Sequence, residues 1–349
     1  MRALTVLPGV AGSAEVTEVD DPPEADGPLL VETLAVGVCG TDAEICAGRY
    51  GTAPPGGGRL IIGHESLGRV LDAPDGTGFR TGDLVVGIVR RPDPVPCPSC
   101  AIGEWDMCSN GRYTERGIKG RHGYASERYR IEPTFAVRVD PVLGELGVLV
   151  EPASVVAKAW DHIERIGARS QGWSPRRVLV CGAGPIGLLA ALLAVRRGYE
   201  VEVLDRVTRG PKPRLVADVG AHYRNGDVRP AAAMADIVIE CSGASAVVGG
   251  VLSNTNENVI VCLTGVSSGG RTVPFDAGEV NREMVLGNAV VFGSVNANRR
   301  HYAAAADALR EADPAWLARL VTRRVPLDAF ADALEHRPDD VKTVITLTT

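Results

Sequence analysis

The chain has no run of about 18 apolar residues, so no segment reads as a membrane-spanning helix. Its opening residues, "MRALTVLPGV", lack a basic stretch followed by a long apolar one, so no secretory leader is expected. Lysine is scarce: it supplies four of the 37 basic residues, the rest being arginine. Against 43 acidic residues this leaves a net charge of −6, which speaks against a nucleic-acid or anionic-membrane partner. Internal repeats and low-complexity tails are missing too. The expectation is a cytoplasmic protein. In that compartment the eight cysteines stay reduced and read as ligands or buried thiols rather than disulfides.

At 349 residues the chain exceeds one ordinary hydrophobic core, and two domains are expected. The first part is rich in glycine and proline, with short β-type runs such as "LLVETLAVGV" and "GDLVVGIV". The texture changes near residue 150. "EPASVVAKAWDHIERIG" has helical spacing, and "RRVLVCGAGPIGLLAALLAVRRGYEVEVLD" reads as strand, glycine turn, apolar helix, strand. Further strands are expected in "ADIVIECSG", "NVIVCLTGV" and "NAVVFGSVN", separated by helices. Strands alternating with helices imply an α/β domain with a doubly wound parallel sheet. The expected division is 1–155 with 297–349 for a β-rich domain and 156–296 for a dinucleotide-binding domain.

"GAGPIG" spans Gly182, Gly184, Pro185, Ile186 and Gly187, a G-x-G-x-x-G that follows a strand and opens a helix. That context makes it a dinucleotide signature. Gly182 serves the tight turn, Gly184 the approach of the pyrophosphate, and Gly187 the packing of helix on strand. The free N–H groups of the helix start face the phosphates. Asp205 ends the next strand, 18 residues past Gly187, where an acid holds ribose hydroxyls and disfavours a 2′-phosphate. NAD is the expected cofactor. Arg206, with Arg209, Lys212 and Arg214 nearby, keeps NADP open, because a guanidinium can stack on adenine and pair with a 2′-phosphate.

Two cysteine-bearing regions invite a metal. Cys39 and His64, with Glu65 or Glu151 as a third member, make a set that suits zinc. On a regular strand His64 and Glu65 would point to opposite faces, so both reach one ion only from an irregular segment, or Glu65 acts from behind the ligands. The second region is "CPSCAIGEWDMC", where Cys97, Cys100 and Cys108 are spaced C-x2-C-x7-C, a zinc lobe with one ligand missing. Cys181, Cys241 and Cys262 fall in expected core strands, and Cys46 reads as a buried thiol. His162, His222 and His336 have no constellation around them, and His122 has no assigned chemistry.

"GHE-x-x-G-x-V" from Gly63, "GD-x-V" from Gly82, the cysteine lobe and the glycine turn together resemble the zinc-dependent medium-chain dehydrogenases over nearly the whole chain. "CGTD-x-E" (39–44), "VRRP" (89–92), "RYTERGI" (112–118), "HGYASE" (122–127), "VEPASVVAKA" (150–159) and "DAGEVNREMVLGNAVVFGSVNANRRHYAAA" (276–305) resemble the archaeal-type glucose dehydrogenases among them. The resemblance implies a GroES-like catalytic domain beside a Rossmann domain. It implies that Cys39 and His64 hold a catalytic zinc, with Glu65 and Glu151 at or near the metal. Such a metal acidifies the substrate hydroxyl, and hydride passes to C4 of the nicotinamide.

By the same resemblance, Thr41 hydrogen-bonds the reacting oxygen, and Glu44 stands where a proton-relay histidine occurs in the alcohol dehydrogenases. The implied reaction is oxidation of an aldose at C1 to the lactone. Glu115, Glu151, Asn296 and His301 match positions near the sugar, Asn298 less clearly, and Asn296 also falls at the cofactor. Val89 stands where one sugar enzyme of the group has asparagine, which keeps open another polyol: an amino sugar, a cyclitol or a sugar alcohol. A catalytically inactive nucleotide-binding relative and a zinc-free quinone-reductase-like enzyme are the remaining rivals, and the Cys39, His64, Glu65 and Glu151 set speaks against both. The family's lobe reads C-x2-C-x2-C-x7-C, and its first place falls here at Pro94. Asp93 is the expected substitute ligand in a structural zinc site, or in its remnant. A closed, sulfur-rich site has no open position for chemistry. The relatives also imply a homodimer or homotetramer.

Overall fold

The computed structural model describes residues 1–267, 273–274, 276–335 and 337–347; His336 lies outside them. The chain divides into two compact units, Met1–Ser154 with Asn296–Thr349, and Val155–Val295.

In the first unit the strand Leu29–Val38 is central. Its residues alternate between buried and half-buried along most of its length, as a strand with one face on a core requires. It pairs antiparallel with Glu65–Asp72, with Arg128–Ile131 and with the last strand, Lys342–Thr346. Lys342–Thr346 in turn runs parallel to Val321–Pro326. Leu84–Gly87 and Ala136–Val139 extend the sheet beyond Glu65–Asp72. Leu4, Val31, Val36, Ile45, Leu60, Val70, Tyr124, Ile131 and Ile345 fill the core beneath it. A separate small sheet joins Arg90–Arg91, Thr114–Arg116 and Gly120–Arg121. This topology brings the last strand beside the segment that ends at Cys39, so residues some 300 positions apart in sequence become neighbours.

The second unit is a six-stranded parallel sheet. Its spatial order is His222–Arg224, Glu200–Leu204, Arg177–Cys181, Ile237–Glu240, Ile260–Leu263 and Val290–Gly293. In chain order that is 3-2-1-4-5-6, the doubly wound arrangement, whose direction reverses between Arg177–Cys181 and Ile237–Glu240. The inner strands are runs of Val, Ile and Leu because helices cover both faces. Cys181 and Cys262 are buried in them, whereas Cys241 lies one residue past the end of Ile237–Glu240 and is only half-buried. The helix Pro185–Arg196 begins at the glycine turn with proline in its first position, where no N–H is missed.

Candidate active site

Cys39 sits where Leu29–Val38 gives way to the helix Gly40–Cys46, and it caps that helix. Its thiol accepts the Thr41 N–H at 3.3 Å, while Asp42 Oδ2 accepts the Cys39 N–H at 3.0 Å. This reciprocal cap fixes the direction of the thiol. His64 lies just before the strand Glu65–Asp72, after Gly63, whose φ of 85° is in the left-handed region. A Cβ at Gly63 would meet Val36 Cγ1 at 2.8 Å, so only glycine fits the bend. The bend takes His64 out of the strand's alternation, and its side chain and that of Glu65 reach one place. Cys39 Sγ is 3.1 Å from His64 Nε2, and the ligand atoms of Cys39, His64 and Glu65 all lie within 4.8 Å of one another.

The surroundings of this cluster are charged and buried. Asp42 Oδ1 faces His64 Nδ1 at 3.3 Å, the arrangement that orients a ligating imidazole. Burial alone would lower the His64 pKa; the facing Cys39 and Asp42 outweigh it and hold the ring well above its ordinary value. Lys342, 1% exposed, places Nζ on Glu65 Oε2 and donates to the Val38 carbonyl at 3.0 Å. Burial would lower its pKa too, but Glu65 and Cys39 raise it on balance, so it stays an ammonium. Gly37 makes room for this pair, since a Cβ there would stand 2.1 Å from Glu65 Oε2. Glu151, at the start of the helix Val150–Gly167, lies outside the three converging ligand atoms. Its carboxyl is nonetheless pushed up to about 7, by burial first and then by the Glu65 charge.

This donor set fits zinc. A thiol, an imidazole and a carboxylate oxygen converge within coordinating reach, the far side of the imidazole is already oriented, and three donors leave a position open. Lys342 and Asp42 were not anticipated from sequence. Asp42 carried a readable signal, the three-residue spacing of a cap that begins at Cys39. Lys342 carried none beyond being one of four lysines among 37 basic residues.

The other expected site residues are distributed as follows. Thr41 is the second residue of the helix that Cys39 caps. Glu44, on the same helix, is half-exposed and 3.7 Å from Arg49. Glu115, 5% exposed, accepts from Arg90 Nε at 3.1 Å, from a second Arg90 nitrogen at 2.9 Å and from Asn296 Nδ2 at 2.9 Å, all on Oε1. Asn296 Oδ1 accepts the Ala297 N–H, so the Asn296 side chain is engaged with Glu115 and the backbone of the next residue. Asn298 caps the helix Arg299–Arg310 and donates to Asp106 Oδ1 at 2.7 Å. His301 Nδ1 accepts the Asn298 N–H at 3.2 Å, which puts the ring proton on Nε2. Val89 is buried at 1% exposure and offers no polar side-chain atom.

The cysteine lobe departs from expectation at its fourth place. Cys97, Cys100 and Cys108 converge, their sulfurs within 4.8 Å of one another. Asp93 does not join them. Its carboxylate instead accepts from the Val95 N–H at 2.9 Å, Asn110 Nδ2 at 2.8 Å and Arg112 Nε at 3.1 Å. Three donors satisfy an acid that would otherwise be free to turn toward the sulfurs. The lobe therefore offers three thiols, and the expected oxygen ligand is a loop organiser.

In the second unit the glycine turn has the geometry its sequence calls for. Gly182 has φ 100°, and a Cβ on Gly187 would collide with the Gly182 carbonyl oxygen at 1.7 Å. Gly184 faces open space, with nothing within 4 Å of a Cβ built there. Pro185 and Ile186 open the helix behind it. Asp205 accepts the Ala183 N–H at 2.6 Å through one oxygen and the Val207 N–H at 3.1 Å through the other. The acid thus ties the end of the second strand to the glycine turn. Arg206 is exposed.

Few enzyme classes need both a dinucleotide turn on a doubly wound sheet and an open thiol–imidazole–carboxylate metal cluster in a β unit; metal-dependent alcohol dehydrogenases are the class that combines them. Comparison with known proteins narrows this. Residues 25–141 match the alcohol dehydrogenase GroES-like domain, and residues 144–347 match the glucose dehydrogenase C-terminus. A glucose 1-dehydrogenase of Methanocella arvoryzae is 40% identical over 99% of both chains, and one of Thermoproteus tenax is 38% identical over 100% of both. A solved glucose dehydrogenase of Haloferax mediterranei, in complex with NADP, zinc and gluconolactone, superposes over 100% of both chains with a TM-score of 0.91 and 34% identity. The chain belongs to the glucose dehydrogenase family of the zinc-dependent medium-chain dehydrogenases.

Proposed function

We propose that this protein oxidises an aldose of the glucose type at C1 to its lactone, using zinc and a nicotinamide dinucleotide. The observation that carries the reading is the Cys39–His64–Glu65 cluster, in a chain whose relatives at 34–40% identity are glucose dehydrogenases. Cys39, His64 and Glu65 would hold the zinc, with Glu151 close enough to feel the Glu65 charge. Zinc, when bound, supplies a Lewis acid that brings the pKa of a coordinated hydroxyl toward neutrality.

The chain's own residues do the rest. Thr41 hydrogen-bonds the hydroxyl that reacts. Glu44, half-exposed on the same helix, passes the released proton to solvent. Glu115 and His301 orient the remaining hydroxyls, the first accepting and the second donating through Nε2. As the C1–H bond breaks, its electron pair moves with the hydrogen to C4 of the nicotinamide and the C1–O bond becomes a carbonyl. Gly184 leaves room for the pyrophosphate at the start of Pro185–Arg196, while Gly182 makes the turn and Gly187 lets the helix pack closely against it.

Asp205 supports NAD, because a carboxylate at the end of the second strand meets a ribose diol well and a 2′-phosphate badly; exposed Arg206 leaves NADP usable. Eight free cysteines support a reducing, cytoplasmic setting, and no helix among the described residues is long and apolar enough to cross a membrane. The half-buried edge strand Val290–Gly293 supports a homodimer or homotetramer.

Buried, apolar Val89 favours a second reading, the same chemistry on an amino sugar, cyclitol or sugar alcohol. A turnover screen decides between them: zinc-loaded protein with NAD or NADP across aldoses, sugar alcohols, cyclitols and simple alcohols, with lactone detected as product. Rapid oxidation of glucose or a close epimer is expected; activity confined to a non-aldose would move the enzyme to the second reading. Asp205→Ala is expected to weaken NAD more than NADP, measured as separate dissociation constants.

A further inference from the structure

Arg90 and Glu115 are cross-strand partners, directly opposite in the register of Arg90–Arg91 with Thr114–Arg116. Both are 5% exposed. A buried arginine and glutamate need a reason, since an ion pair in a dry site is at best neutral for stability compared with apolar residues of the same shape. The hydrogen bonding is lopsided. Arg90 Nε, a second Arg90 nitrogen and Asn296 Nδ2 all converge on Glu115 Oε1. Oε2 receives none of them, and it is not among the sealed-off polar atoms without partners. The guanidinium is held from its other sides as well. It donates to the Asp106 carbonyl at 3.1 Å and lies over the Tyr113 ring with 3.7 Å between its carbon and the centroid. Asn296 is held in a left-handed conformation, φ 62°, that turns its amide to the same oxygen.

We propose that Arg90 is a positioning residue for substrate recognition: with Asn296 it saturates Oε1 of Glu115, so that the carboxylate presents Oε2 alone, as a pure acceptor, to one donor hydroxyl of the sugar. The inference rests on the reading of Glu115 as a sugar ligand. An ionised carboxylate has no proton to give, so the position selects a free hydroxyl and rejects a fluorine, a methoxy group or a bare hydrogen there. It also reassigns Asn296, which acts through Glu115. Lysine cannot substitute fully, because a single ammonium does not fork onto one oxygen while also reaching the Asp106 carbonyl.

The test uses the zinc-loaded enzyme with a panel of monodeoxy and monofluoro analogues of its best aldose. KM and kcat are measured for wild type, Glu115→Gln, Arg90→Met and Arg90→Lys, and cofactor dissociation constants are measured alongside. Wild type is expected to discriminate most sharply at one hydroxyl, and Glu115→Gln to lose that discrimination. Arg90→Met is expected to lose it at the same hydroxyl, with KM for the parent sugar raised about tenfold or more, kcat changed less, and cofactor binding intact. Arg90→Lys, which keeps a buried cation should the methionine variant fail to fold, should recover part of the discrimination. If Glu115→Gln leaves the panel unchanged, the reading of Glu115 fails and the inference with it. If Glu115→Gln erases the discrimination while both Arg90 variants keep it, Glu115 stands and the role of Arg90 is overturned.

Discussion

The first unit contains two clusters that resemble each other in one respect and differ in every other. Cys39, His64 and Glu65 bring three ligand atoms within 4.8 Å, and so do Cys97, Cys100 and Cys108. Around the first lie Asp42 behind the imidazole, Lys342 on the carboxylate and Glu151 with its carboxyl pushed up to about 7. Around the second, backbone N–H groups of Cys100 and Ser109 bring the Cys97 thiol down to about 6, burial pushes Cys100 up to about 11, and Asp93 is occupied elsewhere. Convergence of ligands marks where a metal can sit. Mixed ligand types with charged neighbours mark where an ion can keep a position open and change the protonation of what binds there.

That contrast can be broken or sharpened by mutation. Lys342→Met should have the largest effect on stability. Removing one partner of a buried ion pair strands the other, at a cost of about 3–5 kcal/mol in the metal-free protein. Zinc gives Glu65 a new partner, so urea unfolding should show a smaller loss in the loaded protein; equal losses would detach Lys342 from the metal site. Glu151→Gln should alter a pH dependence. The Glu151 carboxyl is raised in the folded state from 4.5 to about 7, so the fold retains a proton that the unfolded chain has released between those values. Its contribution is complete below about 4.5 and is lost as pH rises through about 7. Tm of metal-free wild type, relative to the glutamine variant, should therefore fall across that window, and parallel curves would contradict the assignment. Cys100→Ser, in the other cluster, should leave kcat/KM unchanged within about twofold while lowering Tm by about 2–4 °C. A collapse of turnover would erase the distinction between the clusters.

Much of the second unit was legible because its signals are local. The glycines of "GAGPIG" work within one turn, and Asp205 follows its own strand. The catalytic cluster was legible in part. Cys39 and His64 stand in short motifs, but whether Glu65 could join His64 depended on the bend at Gly63, a positive φ at a position where a Cβ would strike Val36. Lys342 was invisible, because its partner Glu65 lies 277 positions earlier and only the pairing of the last strand with Leu29–Val38 joins them. Asp93 misled for a related reason. Its neighbour in sequence is the missing ligand's place, yet Asn110 and Arg112 reach its carboxylate in space. Arg90 lay in a quoted motif, but its function depends on a cross-strand register that spacing along one chain does not reveal.

The central claim is that chemistry belongs to the Cys39 cluster. Its most direct test is aldose-dependent nicotinamide reduction by Cys39→Ser, assayed with zinc content and cofactor binding on the same preparation. The account predicts loss of turnover by about a thousandfold or more, loss of the zinc held at that cluster, and cofactor affinity unchanged. Turnover that survives in Cys39→Ser would contradict it.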